Sequence, residues 1–230
     1  MEPAKQGSRE ERLLFDSALR GSGDENVKDM TLTAASFGRG EFRRLWLSER
    51  EVFIEHLLRL DPLTRRQRFG TAVNDAFLQN YAVTTFGVGG IVYAYLEDGI
   101  VRGAAELRGL EDIADRSGEA AFSVEGGWRR RGIGGALFER LITAARNRGI
   151  RTLYLTCLPQ NAAMRRLAAK FEADLVGGYS DVEGVIATGG PTPFTVLDEA
   201  LDHAQGFATL ALTIQSRFWP ARLFVRALAP

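Results

Sequence analysis

The sequence is poor in the residues that would mark a secreted, metal-rich or nucleic-acid-binding protein. It contains one cysteine in 230 residues, which excludes a disulfide framework and a cysteine-rich metal site. Lysine plus arginine and aspartate plus glutamate both total 29, so no excess of positive charge favours nucleic-acid binding. We therefore expect no bound metal and no nucleic-acid partner, and the single cysteine favours the reducing cytoplasm.

Long apolar runs are also missing. Residues 1–24 are polar and charged and contain no apolar signal segment, and no stretch reaches the roughly 20 apolar residues of a membrane span. We expect no membrane contact. The 45% of hydrophobic residues suits one well-packed domain, or one domain with an appendage. We divide the chain into a polar tail at 1–28, a folded domain at 29–190 and a helical extension at 191–230.

The spacing of apolar residues predicts a series of helices and strands. The first half contains a strand at 29–34 and helices at 41–60 and 73–83, with a short basic helix or turn at 63–69 between them. Strands follow at 91–96, 100–107 and 119–124. The second half contains a helix from 133 to a cap at Gly149, a strand at 151–158, a helix at 161–171, and a hairpin at 174–179 and 182–188. The helix between the fourth and fifth strands makes one parallel crossover in a mostly antiparallel sheet. This order indicates an α/β fold.

Two features of the first half have simple structural interpretations. Three arginines, Arg65, Arg66 and Arg68, lie close together, and we expect them to form a solvated face; contact with an acidic substrate is the alternative. His56 lies within the predicted helix at 41–60 and is interpreted as a surface or packing residue.

The extension at 191–230 is predicted to contain a helix over about residues 195–217, because its apolar residues form one stripe. The stripe includes Leu197, Leu201, Ala208 and Leu212. We expect it to pack on the sheet or helices of the same chain. A dimer contact and a lid over an acceptor site are the alternatives.

A glycine- and arginine-rich loop stands between a predicted strand and the helix that follows it, from Val124 to Gly135. The first N–H groups of a helix have no partner inside it, and their partial positive charge attracts phosphate. Glycine allows a ligand to approach the backbone closely. The loop therefore predicts a pyrophosphate site, with an ordinary strand–helix junction bearing exposed arginines as the alternative.

Two common phosphate loops do not fit these residues. A Walker loop ends in Gly-Lys-Ser/Thr, but this loop ends in Gly-Gly-Ala. A dinucleotide fingerprint needs a glycine where Arg130 stands and an acidic residue at the end of the next strand, and neither is present.

The segment from Arg129 to Gly134 reads Arg-x-x-Gly-x-Gly and resembles the acyl-CoA loop of the GNAT superfamily of N-acyltransferases. The predicted element order is similar to the GNAT fold over about residues 29–188. The resemblance implies a mixed, mostly antiparallel sheet with helices on both faces. It also implies an acetyl-CoA-dependent N-acetyltransferase that needs no metal, with a protein lysine or a small-molecule amine as the acceptor, and a homodimer is compatible with it. A non-catalytic acyl-CoA-binding sensor is the alternative.

The resemblance also assigns the residues that hold acetyl-CoA. The backbones of Phe122 and Val124 would bond the pantetheine arm, which lies like a strand in the gap beside the splayed strand. Arg129 would support the loop, and Asn161 would contact the cofactor, cap its helix, or do both. The amides expected on the pyrophosphate are those of Arg130, Arg131, Gly132, Ile133, Gly134 and Gly135.

Glu119 is the candidate general base, because some bacterial GNAT domains that acetylate protein lysines carry a glutamate at this offset before the loop. A glutamate at a strand edge that is simply solvated by water is the alternative. Those domains also resemble this chain in Asn-x-x-Met, beginning at Asn161, and in the segment 60–69. Glu106 and Glu125 are rival carboxylates. The tyrosine that often protonates the leaving thiolate in the family is replaced by Ala168, with Tyr154 and Tyr179 as the nearest alternatives.

Overall fold

The computed structural model describes residues 40–87, 90–109, 116–178 and 180–204. The predicted tail at 1–28 and the predicted strand at 29–34 lie outside these ranges. Seven strands form one sheet in the order β1-β2-β3-β4-β5-β7-β6. They are β1 Gly40–Leu45, β2 Ile91–Glu97, β3 Ile100–Arg108, β4 Ser117–Val124, β5 Thr152–Cys157, β6 Asp174–Gly177 and β7 Val182–Ala187. Only the pair β4–β5 is parallel, which confirms the predicted single crossover.

Helices cover both faces of the sheet. They are α1 Arg50–Arg59, α2 Pro62–Phe69, α3 Asp75–Thr85, α4 Ile133–Asn147, α5 Ala162–Lys170 and α6, which begins at residue 193 and is described through 204. Successive strand residues point to opposite faces. On β3, Glu106 contacts α2 and α3, whereas Gly103 lies against α4. The predicted α/β fold with helices on both faces is confirmed. In the described part of the chain, no helix is long and apolar enough to cross a membrane.

Local sequence explains where most helices begin. Asp61 caps α2 by accepting the Thr64 N–H at 2.9 Å, and Asn74 and Asn161 cap α3 and α5 in the same way. Side-chain acceptors at this position satisfy amides that have no partner within the helix. By contrast, α4 begins at Gly132 without a side-chain cap, so its first amides remain available to a ligand.

The predicted helix after the loop is correct in position and orientation. The apolar stripe of α4 is buried against the sheet, and Leu137, Leu141 and Ala145 are fully buried. The predicted strands at 91–96 and 100–107 are β2 and β3, joined by a hairpin turn at Asp98-Gly99 with φ of 53° at Asp98 and 76° at Gly99. Two successive positive φ angles match the right-handed twist of the flanking strands.

The helix predicted over residues 41–60 is wrong in its first part. Residues 40–45 form β1, which pairs antiparallel with β2 along its whole length, and α1 begins only at Arg50. The spacing of Phe42, Leu45 and Trp46 is helical, but the free edge of β2 offers backbone hydrogen bonds that this segment satisfies as a strand. Tertiary pairing therefore overrides the local period.

The extension docks on the domain through polar groups. Glu199 accepts from Asn147 at 2.7 Å and from Arg148 at 2.8 Å, and Arg140 pairs with Asp202 at 3.1 Å. The predicted packing of the apolar stripe is wrong in its described half, because Leu197 is 57% and Leu201 54% exposed. Ala208 and Leu212 lie outside the described residues. The helix also begins at 193, before the predicted start at about 195.

A buried polar network joins α1 to the end of β4. Glu125 accepts from Arg59 at 2.9 Å, from Arg102 at 2.9 Å and from His56 Nδ1 at 3.3 Å. His56 is fully buried, and its Nε2 lies 2.9 Å from Ser123 Oγ. His56 is therefore a packing residue, as predicted, and it takes part in the contact between α1 and β4. Burial alone would raise the pKa of Glu125, but the bonds from His56, Arg102 and Arg59 lower it to about 2.

The docking of α6 predicts which substitutions loosen it. Glu199→Ala removes the carboxylate that accepts from Asn147 and Arg148. It should lower the free energy of local unfolding of α6 by about 1–3 kcal/mol. Leu197→Ser and Leu201→Ser should change stability by less than about 0.5 kcal/mol, because both side chains already face water. Amide hydrogen exchange of α6 measures the difference. Loss of protection in the leucine variants, with none in Glu199→Ala, would show that apolar packing holds the helix.

The network around Glu125 predicts a dependence of stability on pH. Because the folded pKa of Glu125 lies below its ordinary value of 4.5, its contribution is complete above about pH 4.5 and is lost as pH falls toward 2. The contribution is about 3 kcal/mol. Urea unfolding between pH 5 and 2 should show a steeper loss in the wild type than in Glu125→Gln. The exposed Glu55→Gln is the matched control, and equal slopes in all three proteins would contradict the prediction.

Candidate active site

The parallel strands β4 and β5 pair over only three residues. Ser117–Glu119 lies beside Thr152–Tyr154, and beyond this point β4 continues only on β3 while β5 continues only on β7. A gap therefore opens between the carboxyl halves of two neighbouring strands. It begins next to Glu119 and extends toward the loop that follows β4.

The register of β4 determines which of its backbone groups face the gap. The Glu125 N–H donates to the Arg102 carbonyl on the β3 side at 2.9 Å. Because bonding directions alternate along an antiparallel pair, Phe122 and Val124 turn their N–H and C=O groups the other way, toward the gap. These are the two residues predicted to bond the pantetheine arm, and their backbone can extend the sheet with a ligand.

The predicted phosphate loop combines a short 3₁₀ turn at Gly126–Trp128 with the uncapped start of α4. Arg130 and Gly132 have φ of 59° and 84°, a conformation that turns the chain tightly into the helix. The first helical bond is from Ala136 N to Gly132 O, so the amides of Ile133, Gly134 and Gly135 have no partner within the helix. This arrangement fits a pyrophosphate.

The glycines at the start of α4 leave the space between this helix start and α5 unfilled by side chains. A Cβ on Gly134 would lie 3.5 Å from Leu167 Cδ2, and one on Gly135 would lie 3.4 Å from Lys170 Nζ. Both neighbours belong to α5, so larger side chains here would fill the space between α4 and α5. A ligand that reaches the free amides needs this space.

The three arginines of the loop have different environments. Arg129 donates from Nε to the Val124 carbonyl at 3.1 Å and from its other end to Thr64 Oγ1, so its side chain joins the loop to α2, and its role at the cofactor stays a prediction. Arg130 and Arg131 are exposed and can meet an anion. Trp128 anchors the turn by donating from Nε1 to Glu97, with the Arg102 guanidinium 4.1 Å above its ring.

A cleft of about 500 Å³ lies at the mouth of the gap. Glu119 is exposed on β4 and lines it. Asn161 also lines it, and its side chain caps α5 by accepting the Met164 N–H at 3.1 Å. Other side chains in the cleft are those of Arg68, Tyr81, Arg108, Phe122, Cys157 and Asp181. Phe122, Asn161 and Glu119 are thus brought together, although they are distant in sequence.

The rival carboxylates are both occupied. Glu125 is held by His56, Arg59 and Arg102 as described above. Glu106 is fully buried, and it accepts from Arg68 at 2.8 Å and from the Tyr81 hydroxyl at 2.7 Å. Both carboxylates are therefore paired with arginines. Glu119 is the remaining one of these three candidates.

The expected solvated face of arginines is wrong for two of its three members. Arg68 is almost buried, with a side chain 9% exposed, and Arg65 donates to the carbonyls of Leu58 and Leu60. Arg66 is exposed, as predicted. Sequence periodicity did not reveal Arg68 because its partner Glu106 lies on a distant strand. A buried arginine needs such a partner to offset its lost hydration.

Two further residues bear on the chemistry. Burial raises the pKa of the Cys157 thiol, which favours the neutral form and argues against a nucleophile. Tyr154 lies beside Glu119 in the parallel register and is 37% exposed, whereas Tyr179 lies outside the described residues. Among those residues, no group of three or more histidine, cysteine, aspartate or glutamate side chains is placed to hold a metal ion.

Comparisons with known proteins agree with this geometry. Residues 52–172 match the model of the Acetyltransferase (GNAT) family, which is more than half of the 230-residue chain. The sequence matches no curated protein.

Solved structures resemble the fold at 18% identity. The GNAT domain of PAT from S. lividans has a TM-score of 0.55 and covers 64% of this chain and 89% of its own. A structure of yncA from Salmonella typhimurium with its cofactor acetyl-CoA has a TM-score of 0.50 and covers 68% and 99%. A ribosomal-protein-alanine N-acetyltransferase from Brucella melitensis has a TM-score of 0.50 and covers 64% and 98%. At this identity the similarities establish the fold and not the acceptor.

Together, the family match, the shared fold and the gap beside an uncapped glycine-rich helix start lead to one conclusion: the chain belongs to the Acetyltransferase (GNAT) family and is an N-acetyltransferase.

Proposed function

We propose that the protein transfers an acetyl group from acetyl-CoA to a primary amine, in a small molecule or a protein lysine, by direct attack of the amine on the thioester. The observation that carries the proposal is the gap between β4 and β5, which opens beside the exposed Glu119. One end of the gap presents a carboxylate and the other leads to free helix amides. Incubation with acetyl-CoA and a panel of amines, with free thiol as the readout, tests it.

Several residues fit acetyl-CoA, which would supply the activated acetyl group. The backbones of Phe122 and Val124 face the gap and can pair with an amide-bearing arm. The amides from Arg130 to Gly135 and the exposed guanidiniums of Arg130 and Arg131 can hold the pyrophosphate. A solved neighbour, yncA, carries acetyl-CoA, and this supports the same ligand here. The predicted absence of a metal stays a prediction.

Glu119 is proposed as the general base. An alkyl amine has a pKa near 10.4 and is mostly protonated at pH 7, so a carboxylate that accepts its proton raises the fraction able to react. Glu119 is exposed to the cleft, whereas Glu106 and Glu125 are held by arginines. Its position at the start of the gap supports this role.

The departing thiolate has no tyrosine at the position usual in the family. Ala168 stands there and is fully buried in α5. A thiol pKa of about 8.5 makes the thiolate a fair leaving group without assistance. Tyr154, partly exposed opposite Glu119, is the remaining described candidate for a proton donor.

The acceptor class is open between a protein amine and a small amine. The neighbours include a ribosomal-protein-alanine N-acetyltransferase and a PAT domain, but 18% identity carries no acceptor with it. Residues 60–69 and the Asn-x-x-Met segment resemble lysine-acetylating domains and support a lysine. The homodimer and the cytoplasmic location also stay predictions.

The alternative expected from the sequence, a non-catalytic acyl-CoA sensor, is disfavoured by the family match, although Ala168 stands in place of the usual tyrosine. It predicts tight acetyl-CoA binding with no release of free thiol in the presence of any amine. The exposed carboxylate beside the gap favours the enzyme.

Acetyl-CoA binding should depend on the glycines of α4. Gly134→Phe is expected to lower acetyl-CoA affinity at least tenfold, because the side chain fills the space next to Leu167. Gly132 is a less clean target, since its φ of 84° makes any side chain strained. Isothermal titration calorimetry measures the affinity and circular dichroism the fold. Gly177→Phe, on an open edge strand, is the control, and wild-type affinity in Gly134→Phe would exclude this loop.

Glu119→Gln should keep acetyl-CoA affinity and lose roughly 100-fold or more in turnover. The loss should shrink at high pH, because the amine is then already neutral and needs no base. Initial rates between pH 6 and 10 measure it, with Glu172→Gln as an exposed control outside the cleft. Wild-type turnover of Glu119→Gln across this range would remove the residue from the mechanism.

A further inference from the structure

Two opposite charges stand side by side on the wall of the cleft without neutralising each other. Arg108 on β3 and Glu119 on β4 are directly opposite in the register, so their side chains leave the same face of the sheet. Both line the cleft. Within the described ranges, neither forms an ion pair with the other or with another residue. Cross-strand partners of opposite charge normally attract, so something else holds them apart.

Arg108 is held by a tyrosine. Its Nη1 donates to the Tyr81 hydroxyl at 3.0 Å, and its guanidinium lies 4.9 Å above the Tyr81 ring. Burial, followed by the nearby charge of Glu106, raises the pKa of Tyr81. The hydroxyl therefore stays neutral, and it orients the positive charge of Arg108 without cancelling it.

The other charges near Tyr81 are already balanced. Arg68 and Glu106 form a close pair at 2.8 Å, and Tyr81 donates its proton to the second oxygen of Glu106. Both oxygens of Glu106 are therefore already bonded, and Arg108 donates to the Tyr81 hydroxyl instead. On this wall of the cleft, Arg108 is the described cation that no described carboxylate offsets.

The cleft as a whole is dipolar rather than uniformly acidic. Glu119 and Asp181 contribute negative charge, and Arg108 contributes positive charge. A ligand that carries only a cation would leave Arg108 without a counterion in a partly desolvated wall. A ligand with both signs would satisfy the two neighbouring strands at once.

We propose that Arg108 binds a carboxylate of the acceptor, so that the acceptor is a small amine of the amino-acid type, with its amine at Glu119. This rests on the proposed acetyltransferase function. The planar guanidinium of arginine presents five N–H donors, which suits a two-oxygen acceptor, and one of these donors is used on Tyr81. The cleft of about 500 Å³ lies in the size range of small-molecule sites.

Matched acceptors test the proposal directly. Glycine, β-alanine and 4-aminobutyrate are compared with alkylamines of the same carbon number, and with a lysine peptide whose termini are blocked. We expect kcat/KM to be at least tenfold higher for one or more of the carboxylated amines than for the matched alkylamine. Equal or better turnover of the alkylamines or of the blocked peptide would overturn the proposal.

Arg108→Gln assigns the effect to one residue. It should raise KM for the preferred carboxylated amine at least tenfold while leaving KM for the matched alkylamine within twofold, and Arg108→Lys should retain part of the preference. Arg66→Gln, exposed on α2 and outside the cleft, is the control. Acetyl-CoA affinity and melting temperature confirm that each variant is folded. A preference that survives in Arg108→Gln would place the carboxylate elsewhere and overturn the proposal.

Measurements of amine binding distinguish the proposed carboxylate site at Arg108 from the proposed catalytic function. Calorimetric titration of the same amines, in the presence of CoA, needs no turnover. If no amine is acetylated but the carboxylated amines bind in an Arg108-dependent way, the catalytic function fails and the anion site stands. If alkylamines are acetylated and the carboxylated amines bind no better, the catalytic function stands and the anion site fails. Absence of both binding and turnover would overturn both.

Discussion

The early end of the pairing between β4 and β5 is the constraint on which the site depends. Pairing stops at Glu119 and Tyr154, and each strand then follows a different neighbour. The backbone groups of Phe122 and Val124 consequently face a gap, where the Val124 carbonyl accepts from Arg129. A ligand can pair with the backbone groups that β5 does not reach. The same divergence brings Glu119 and Asn161 to the wall of one cleft.

Ion pairs decide which acidic group is available in this opening. Glu106 lies on β3, next to the strand that carries Glu119, and Glu125 lies at the start of the loop. Each of these two carboxylates is bound by an arginine. These contacts also join α1 and α2 to the sheet. Glu119 needs no partner because it is exposed. Burial thus distinguishes the paired carboxylates from the exposed one. Arg68 is paired with Glu106, whereas Arg108 forms no ion pair within the described residues and donates to Tyr81.

Polar contacts decide which face of α6 meets the domain, although its apolar stripe predicts that a different face should be buried. Glu199, Asp202 and the side chains of α4 dock α6 through charge-assisted bonds, which are stronger than neutral ones. Leu197 and Leu201 then point away from the domain. An apolar stripe predicts that something should cover it, but it does not specify which surface the helix meets.

The sequence by itself determined the elements whose signals are local. Residues within a few positions of each other determine the amphipathic period of α4, the Asp98-Gly99 turn and the start of α4 after Gly132, so these features could be predicted. The single parallel crossover and the family could also be predicted. Tertiary structure alone decided the rest. β1 forms because β2 offers a free edge, and Arg68 is buried because Glu106 lies on a distant strand. The face of α6 that meets the domain is the one that carries Glu199 and Asp202. These outcomes depend on residues distant in the chain, whose proximity no local period encodes.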